Sequence, residues 1–400
     1  MEKIPNLSFI RQCILKPQPQ IPWAQKMVLN PAIIRDPENK NTLYMLFRAT
    51  GPGADAQLPD HPLPYPIYLG FAESRDAGKT WDFDWSSPAM SPRLDYDQDD
   101  FIRNSFCGGR MFDYANGCIE DPRLFTFEGE VFMTIACRAF PPGPYWEKDD
   151  PVQCMPAWVA ENPDLYGKAV CENGTVSMLY KVDIKALAAR DYRRAFEVIC
   201  PLHQPDISDN RDVMLFPRRL KINGSQKIVC LHRPKEPWNY QCGKHLTAPS
   251  IFIACADKFE DFYNGNAENH VLALPEFEWE ANRIGCSWAP VEIEAGLWLM
   301  PYHGKQDDNV GYTQSFMLLE EQENGIPAIV SRPPVRLLFA AEPWELEGDF
   351  TIPCLFTCSG VILEDNRLLM GYGAADRVLG TVECDYGKLK KYISHFAGKL

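Results

Sequence analysis

Five times along the chain an apolar run, a turn and a second apolar run recur, and each second run ends on a charged or hydrogen-bonding side chain. The second runs are LYMLFR ending at Arg48, VFMTIACR at Arg138, KIVCLHR at Arg233, LWLMPYH at His303 and RLLMGYGAAD at Asp376. Their upstream mates are NPAII from Asn30, EDPRLFTF from Glu120, DVMLFPRRL from Asp212, APVEIE from Ala289 and CSGVILED from Cys358. A β-type pattern repeated at a period of roughly 70 to 95 residues predicts a closed ring of similar sheets. The fold expected is all-β, a five-bladed β-propeller with few short helices. A ring of this kind brings equivalent strand ends to one central depression, where five polar ends would form a site.

A propeller also accounts for the length, because 400 residues can form a single toroidal unit whose blades each pack on two neighbours. Residues 26–400 are read as that unit and residues 1–25, with their PQPQIP stretch, as an irregular N-terminal arm that could cover a blade edge. Aromatic residues make up 12% of the chain and supply the apolar faces that sheet packing requires. The formal charge of -14, with no block of Lys or Arg, excludes an electrostatic footprint for a nucleic-acid backbone. No signal-peptide pattern and no apolar stretch of about 18 residues is present, so a cytoplasmic protein away from membranes is expected. The 14 cysteines are dispersed in apolar runs and read as small buried hydrophobes, not as a disulfide or metal framework.

Two insertions interrupt the repeat. One lies between Ser91 and Asn116, and the other, rich in Pro and charge, spans Pro141–Gly167. Long loops on a rigid ring are usual places for substrate walls. Tyr145, Trp146 and Trp158 could stack on a sugar or cap the ring, and with the arm before Gln25 this insertion could supply a homo-oligomer interface. The segment from Asp183 to Val198 is the best helical candidate in the middle of the chain.

The sharpest local motif is Glu120-Asp121-Pro122-Arg123. Adjacent strand residues point to opposite faces, so Glu120 and Asp121 can share a pocket only if the backbone departs from regular geometry. Pro122 makes such a departure plausible and restricts Asp121 to extended or polyproline conformations. Held at a blade entrance, Asp121 reads equally as an acid for glycosidic-bond cleavage and as a turn residue paired with Arg123. A second cluster is basic: Arg211 and Arg283 precede inner strands, while Arg138, Arg233 and His303 end theirs. Unpaired charge in so restricted a space is costly, so these groups call for an oxyanion such as phosphate or for internal carboxylate partners among Asp212, Glu292 and Asp376.

The ordered set Asn30-Pro31, SRDAGKTW at Ser74, EDPR at Glu120, NRDVMLFPRR at Asn210, HRP at His232, PVE at Pro290, YHG at Tyr302 and YGAAD at Tyr372 resembles glycoside hydrolase family 130, the β-mannoside phosphorylases and β-mannosidases, over roughly residues 25–385. The resemblance implies that Asp121 is the proton donor and that Arg211, Arg283, His303 and Arg138 hold inorganic phosphate as co-substrate. It implies also that Asn30, Arg48 and Asp376 line the mannose site, with Glu292 near them as a sugar-site residue, as a base for water, or as a group that merely holds an arginine. Neither a metal nor an organic cofactor is needed. The expected reaction is inverting phosphorolysis of a β-mannoside or short β-manno-oligosaccharide to α-D-mannose 1-phosphate, with inverting hydrolysis or non-catalytic sugar binding as alternatives. The chain departs from the family's pattern at Arg283, where Lys is expected, and at Cys286-Ser287-Trp288, where small residues are expected. Trp288 is accordingly expected to narrow or re-aim the acceptor subsite.

Overall fold

A computed structural model of the chain describes residues 6–51, 66–94, 102–104, 110–142, 159, 161–307, 310–348 and 352–398. Tyr145, Trp146 and Trp158 lie outside the described residues. Strand β1 (Ile10–Leu15) opens the chain. The first blade is β2 (Met27–Arg35), β3 (Leu43–Thr50), β4 (Ile67–Ser74) and β5 (Asp82–Asp84), and a small hairpin of β6 (Ile102–Asn104) and β7 (Arg110–Phe112) follows it. The second blade is β8 (Cys118–Phe127), β9 (Glu130–Arg138), β10 (Val176–Val182) and β11 (Phe196–Pro201). The third comprises β12 (Asn210–Leu215), β14 (Ser225–Pro234), β15 (Ile251–Ala256) and β16 (Glu268–Ala273), with β13 (Leu220–Ile222) added to β14. In the fourth, β17 (Arg283–Cys286) and β18 (Val291–Glu294) both pair with β19 (Leu297–Lys305), which is followed by β20 (Tyr312–Glu321) and β21 (Pro327–Ser331). The fifth is β22 (Leu355–Ile362), β23 (Arg367–Ala374) and β24 (Val378–Asp385).

The fifth blade takes its outer strand from the other end of the chain, since β1 pairs antiparallel with β24. Residues 10–15, part of the arm read as irregular, therefore form the strand that fastens the last blade to the first. The inner strands β2, β8, β12 and β17 neighbour one another in order, and β22 returns to β2, so the five sheets make a propeller. Between the blades lie apolar layers such as the one holding the fully buried Trp298, which meets Phe216 edge-on at 5.0 Å. Burying a side chain of that size stabilises the fold by roughly 3 kcal/mol.

One repeated device links blades. Glu280 accepts hydrogen bonds from the backbone N–H groups of Glu276 and Phe277, from the Tyr302 hydroxyl and from Arg332. Glu345 does the same with Ala341, Glu342, Tyr372 and Arg11. Both carboxylates are wholly buried, and the second ties β1 to the fifth blade.

Two local expectations are corrected. The segment from Asp183 forms two short helices, Ile184–Ala188 and Tyr192–Ala195, and then enters β11. Asp183 caps the first, and Arg190 in a left-handed conformation (φ 59°) ends it. In the fourth blade the inner strand is split between β17 and β18, where Pro290 has no N–H to give a central ladder. The chain end forms a helix, Tyr386–Ser394, that buries Leu389 and Ile393 against the fifth blade. No helix among the described residues is long and apolar enough to cross a membrane.

Candidate active site

The central cavity owes its lining to the same backbone irregularity in three successive blades. The ladders β2–β3, β8–β9 and β12–β14 each skip register, between Leu29 and Ala32, Glu120 and Arg123, and Arg211 and Met214. Within each skip one residue is left-handed: Asn30 (φ 49°), Asp121 (φ 54°) and Asp212 (φ 57°). Asn and Asp tolerate this conformation better than other side-chain-bearing residues, and a bulge re-aims the side chains beside it. So Glu120 and Asp121, adjacent in sequence, both face the cavity. The extended conformation that Pro122 was expected to impose on Asp121 does not occur, because the bulge overrides it. Asn30, also followed by proline, behaves the same way. Its Oδ1 lies where a Cβ on Gly373 would sit, at 2.1 Å, so only glycine fits opposite it.

The cavity, of about 240 Å³, is lined by Asn30, Arg48, Glu120, Asp121, Arg138, Pro142, Arg211, Asp212, Arg233, Tyr312, Phe356 and Asp376. Asp121 Oδ1 accepts from Asn30 Nδ2 at 2.7 Å and from Arg48 at 3.1 Å. Burial pushes the Asp121 carboxyl up, but Arg48, Arg123, Asn30 and Arg211 together outweigh it and hold the group below the usual carboxylate range. Glu120 bridges the two halves of the site, with Arg48 at 3.0 Å from one oxygen and Arg211 at 3.6 Å from the other. Arg211 also donates to Thr175 Oγ1 at 2.9 Å, and Arg138 donates to the Asn173 carbonyl.

Beneath these groups lies a buried ionic core. Asp212 accepts from Arg123 at 2.7 Å and from Arg233, and His303 Nε2 approaches it at 3.2 Å. Burial would raise the Asp212 carboxyl, yet Arg233, His303 and Arg123 hold it well below its usual range. Arg123 also donates to the carbonyls of Ser287 and Asp121, the latter bond bracing the bulge that presents the Asp121 carboxylate. Thus Arg123 pairs with Asp212 and not with the Asp121 carboxylate, one of the alternatives the sequence left open.

Of the residues expected at a site, Asp121, Asn30, Arg48, Asp376, Arg211 and Arg138 come together in this cavity. Three do not. His303 is fully buried behind the lining, and burial, its largest influence, keeps its imidazole below the ordinary value despite Asp212. Arg283 pairs in register with Lys305 and donates to Asn282 Oδ1, away from the lining. Glu292 sits at the opposite end of the inner strands, in a separate apolar recess with Ile33, Phe125 and Ile362, bound to Arg218. The Arg218 guanidinium holds the Glu292 carboxyl below its usual range. Trp288 lines that same recess, packed on Gly360 and Phe316, so it does not narrow the cavity holding Asp121. Replacing Glu292 by Gln should therefore leave kcat essentially unchanged and cost at most about 1 kcal/mol of stability, as expected for a partly exposed ion pair. Steady-state rates and a denaturant melt of the variant check both.

Arg233, read from sequence as one of the converging strand ends and as part of the basic cluster, lines the cavity; sequence reasoning weighed Glu120 only as the neighbour of Asp121 and Asp212 only as a partner for arginines, and did not name Tyr312 or Phe356. Glu120 and Asp212 carried a signal, since one adjoins Asp121 and the other occupies the equivalent position of the next blade. Tyr312 and Phe356, whose rings meet at 5.2 Å, carried none.

The central cavity of this propeller sets four carboxylates among four arginines, with an aromatic wall, an arrangement able to hydrogen-bond a polyhydroxylated ligand. Residues 175–394 match the family model described as beta-1,4-mannooligosaccharide phosphorylase, more than half of the chain, and the chain belongs to glycoside hydrolase family 130. It is an enzyme that cleaves β-mannosidic linkages with inversion, by phosphorolysis or hydrolysis. No curated protein matches the sequence. Among solved structures the fold is similar to that of a β-1,2-mannobiose phosphorylase from Listeria innocua in complex with β-1,2-mannobiose, at 17% identity over 92% of both chains with a TM-score of 0.60. It is similar also to a family 130 structure reported for glycoside hydrolases that target β-1,2 mannosidic linkages in Candida mannan, at 13% identity over 94% of this chain and 93% of the other, TM-score 0.59. A mannose phosphorylase from Leishmania mexicana in complex with phosphate ion aligns at 13% identity over 92% and 86%, TM-score 0.50.

Proposed function

We propose that the enzyme is an inverting phosphorylase that cleaves a β-mannoside or short β-manno-oligosaccharide with inorganic phosphate and releases α-D-mannose 1-phosphate. The observation that carries this reading is that Arg138, Arg211 and Arg233 all line the cavity that also presents Asp121. Guanidinium groups suit a phosphate oxyanion because they donate in pairs and stay charged. Phosphate is already an anionic nucleophile at neutral pH, so its attack needs no carboxylate base. Hydrolysis through Glu292 would need that base beside the scissile bond, at the about 6.5 to 9.5 Å from the acid that inversion with water demands. Glu292 instead lies in the recess at the other end of the inner strands.

In the proposed reaction, Asn30, Arg48 and Asp376 bind mannose hydroxyls, and a misplaced hydroxyl in an epimer leaves one of these buried groups unpaired. Phosphate, held by Arg211, Arg138 and Arg233, attacks the anomeric carbon on the face opposite the leaving oxygen. Asp121 supplies the proton that the leaving oxygen takes up as its bond to carbon breaks. Arg233, which ended a strand in the basic cluster read from sequence, takes the place expected of Arg283 and His303 on the cavity wall. Arg283 and His303 act, in this reading, as framework: the first at the rim of β17, the second as a neutral support for Asp212.

The test is product analysis with β-1,4- and β-1,2-mannobiose, with and without inorganic phosphate, following the anomeric configuration. Phosphate-dependent formation of α-mannose 1-phosphate supports the reading, and phosphate-independent release of free mannose rejects it in favour of hydrolysis. Arg211 then makes a separate prediction. Arg211→Ala should raise the phosphate concentration needed for half-maximal rate by roughly 10- to 100-fold, the loss expected for hydrogen bonds to a charged group. An unchanged phosphate dependence would assign Arg211 to supporting Glu120 alone. The linkage and acceptor that the enzyme prefers are read from the same product series.

A further inference from the structure

Of the four arginines that line the cavity, two meet carboxylates at close range: Arg48 lies 3.0 Å from Glu120, and Arg233 donates to Asp212. Arg138 and Arg211 are held otherwise. Among the described residues Arg138 makes one hydrogen bond, from Nη1 to the Asn173 carbonyl, and Arg211 makes one, from Nη2 to Thr175 Oγ1 at 2.9 Å. The carboxylates nearest Arg211, Glu120 at 3.6 Å and Asp209 at 3.7 Å, stand beyond hydrogen-bond distance. Both arginines are thus seated by uncharged oxygens of one short link, Asn173-Gly174-Thr175, that leads into β10.

The link is built for that position. The β9–β10 ladder ends at the pair Cys137 and Val176, so the chain just before Val176 runs beside Arg138. Asn173, wholly buried, is left-handed (φ 49°), and its side chain pairs with both backbone groups of Phe140: Oδ1 accepts from the N–H and Nδ2 donates to the carbonyl, each at 3.0 Å. The side chain thereby stands in for a ladder partner, and the Asn173 carbonyl turns to Arg138. Thr175, also buried, is fastened to the chain entering β12, since its N–H donates to Asp209 Oδ2 at 3.2 Å and its carbonyl accepts from Asn210 N at 3.0 Å. Those two bonds fix its hydroxyl beside Arg211.

We propose that Asn173 and Thr175 are positioning residues that seat Arg138 and Arg211 for phosphate without neutralising them. This rests on the reading of those two arginines as phosphate ligands. A carboxylate in the same place would orient a guanidinium but would also cancel its charge and repel the incoming anion. A carbonyl or hydroxyl oxygen orients it through one N–H and leaves the charge and the other donors for the ligand. An arginine already seated also gives up less side-chain freedom when the anion arrives. The link therefore sets the affinity for phosphate, and it does so through the two arginines.

The experiment measures phosphorolysis of the β-mannobiose that the enzyme cleaves, varying phosphate and sugar separately, for wild type, Thr175→Val, Thr175→Ser, Arg211→Ala and the double variant Thr175→Val with Arg211→Ala. Valine keeps the shape of threonine and removes the hydroxyl. Thr175→Val should raise the phosphate KM about 10-fold, while the mannobiose KM and kcat at saturating phosphate change by less than about 3-fold. Thr175→Ser, which keeps the hydroxyl, should recover most of that loss. In the Arg211→Ala background Thr175→Val should add less than about 2-fold, because the partner of the hydroxyl is already gone. At the other end of the link, Asn173→Ala should raise the phosphate KM well above that of Asn173→Gly, since glycine accepts the left-handed backbone that aims the carbonyl and alanine does not. Melting curves identify folded variants, and the Asn173 pair keeps the test in force if valine at position 175 does not fold.

A phosphate KM unmoved in Thr175→Val, an equal rise in the KM of both substrates, or a full effect of Thr175→Val in the Arg211→Ala background would each overturn the role of Thr175. Equal phosphate KM values in Asn173→Ala and Asn173→Gly would overturn that of Asn173. A wild type that releases free mannose without phosphate would overturn the phosphorylase reading and the seat together, whereas phosphate-dependent product with unshifted variants would overturn the seat alone.

Discussion

Asp121→Asn is expected to lower kcat on β-mannobiose by about 10²- to 10⁴-fold with no loss of folded protein. The substitution keeps the shape of the side chain and suits the left-handed backbone at this position (φ 54°). An amide oxygen can still accept from Asn30 and Arg48, so the two bonds that seat the group are retained in kind. What disappears is the ability to pass a proton. Rates measured with and without phosphate, alongside a thermal melt, separate the two effects. Activity within a few-fold of wild type would remove Asp121 from the chemistry and leave it as a ligand for Arg48.

The largest effect on stability should come from Asp212. Asp212→Ala leaves Arg123 and Arg233, both nearly inaccessible, without their shared carboxylate, and breaking a buried pair from one side typically costs about 3–5 kcal/mol. Arg123 would also lose an anchor while bracing the Asp121 bulge, so activity should fall together with stability. Urea unfolding of the variant measures the first, and a loss below about 1 kcal/mol would show that water or another group replaces the carboxylate. The pH dependence has a definite sign. Because the folded state holds the Asp212 carboxyl well below its unfolded value of about 3.9, the stability it contributes is present above that pH and is lost as pH falls through the lower, folded value. The wild type should thus lose stability in that acid window more steeply than Asp212→Ala does.

Both predictions bear on groups that differ in how far the sequence revealed them. Asp121 stood out through the Glu-Asp-Pro-Arg motif, which by chemistry alone suited a catalytic acid and a turn residue equally and which the family resemblance marked as the proton donor. Asp212 occupies the same position one blade later and was visible only as a possible partner for arginines. The periodic runs at Arg48, Arg138, Arg233 and His303 marked real strand ends, but strand ends do not say which way a side chain turns. Arg138 and Arg233 line the cavity, whereas His303 turns behind it, and Gly285 permits this because a Cβ there would lie 2.3 Å from Asp212 and 2.6 Å from His303.

Glu292 illustrates the opposite error. Motif order placed it near the sugar site, yet the inner strand of the fourth blade is broken before it, and Glu292 follows the break to the far end of the ring. Distance along a strand is about 3.3 Å per residue, so a few residues suffice to move a group from one mouth of a propeller to the other.

The sequence by itself determined the five-fold β repeat, the family, and the carboxylate, amide and arginine groups that begin the inner strands of the first three blades. Alternation and repeat length are local properties, and local properties survive in a linear string. Tertiary structure alone decided that bulges at Asn30, Asp121 and Asp212 turn neighbouring residues toward one cavity, that β1 closes the ring on β24, and that Asp212 and not the Asp121 carboxylate neutralises Arg123. These outcomes depend on a register skip of one residue and on which charges meet across blades about 90 residues apart, where the low dielectric of the interior makes each pairing decisive.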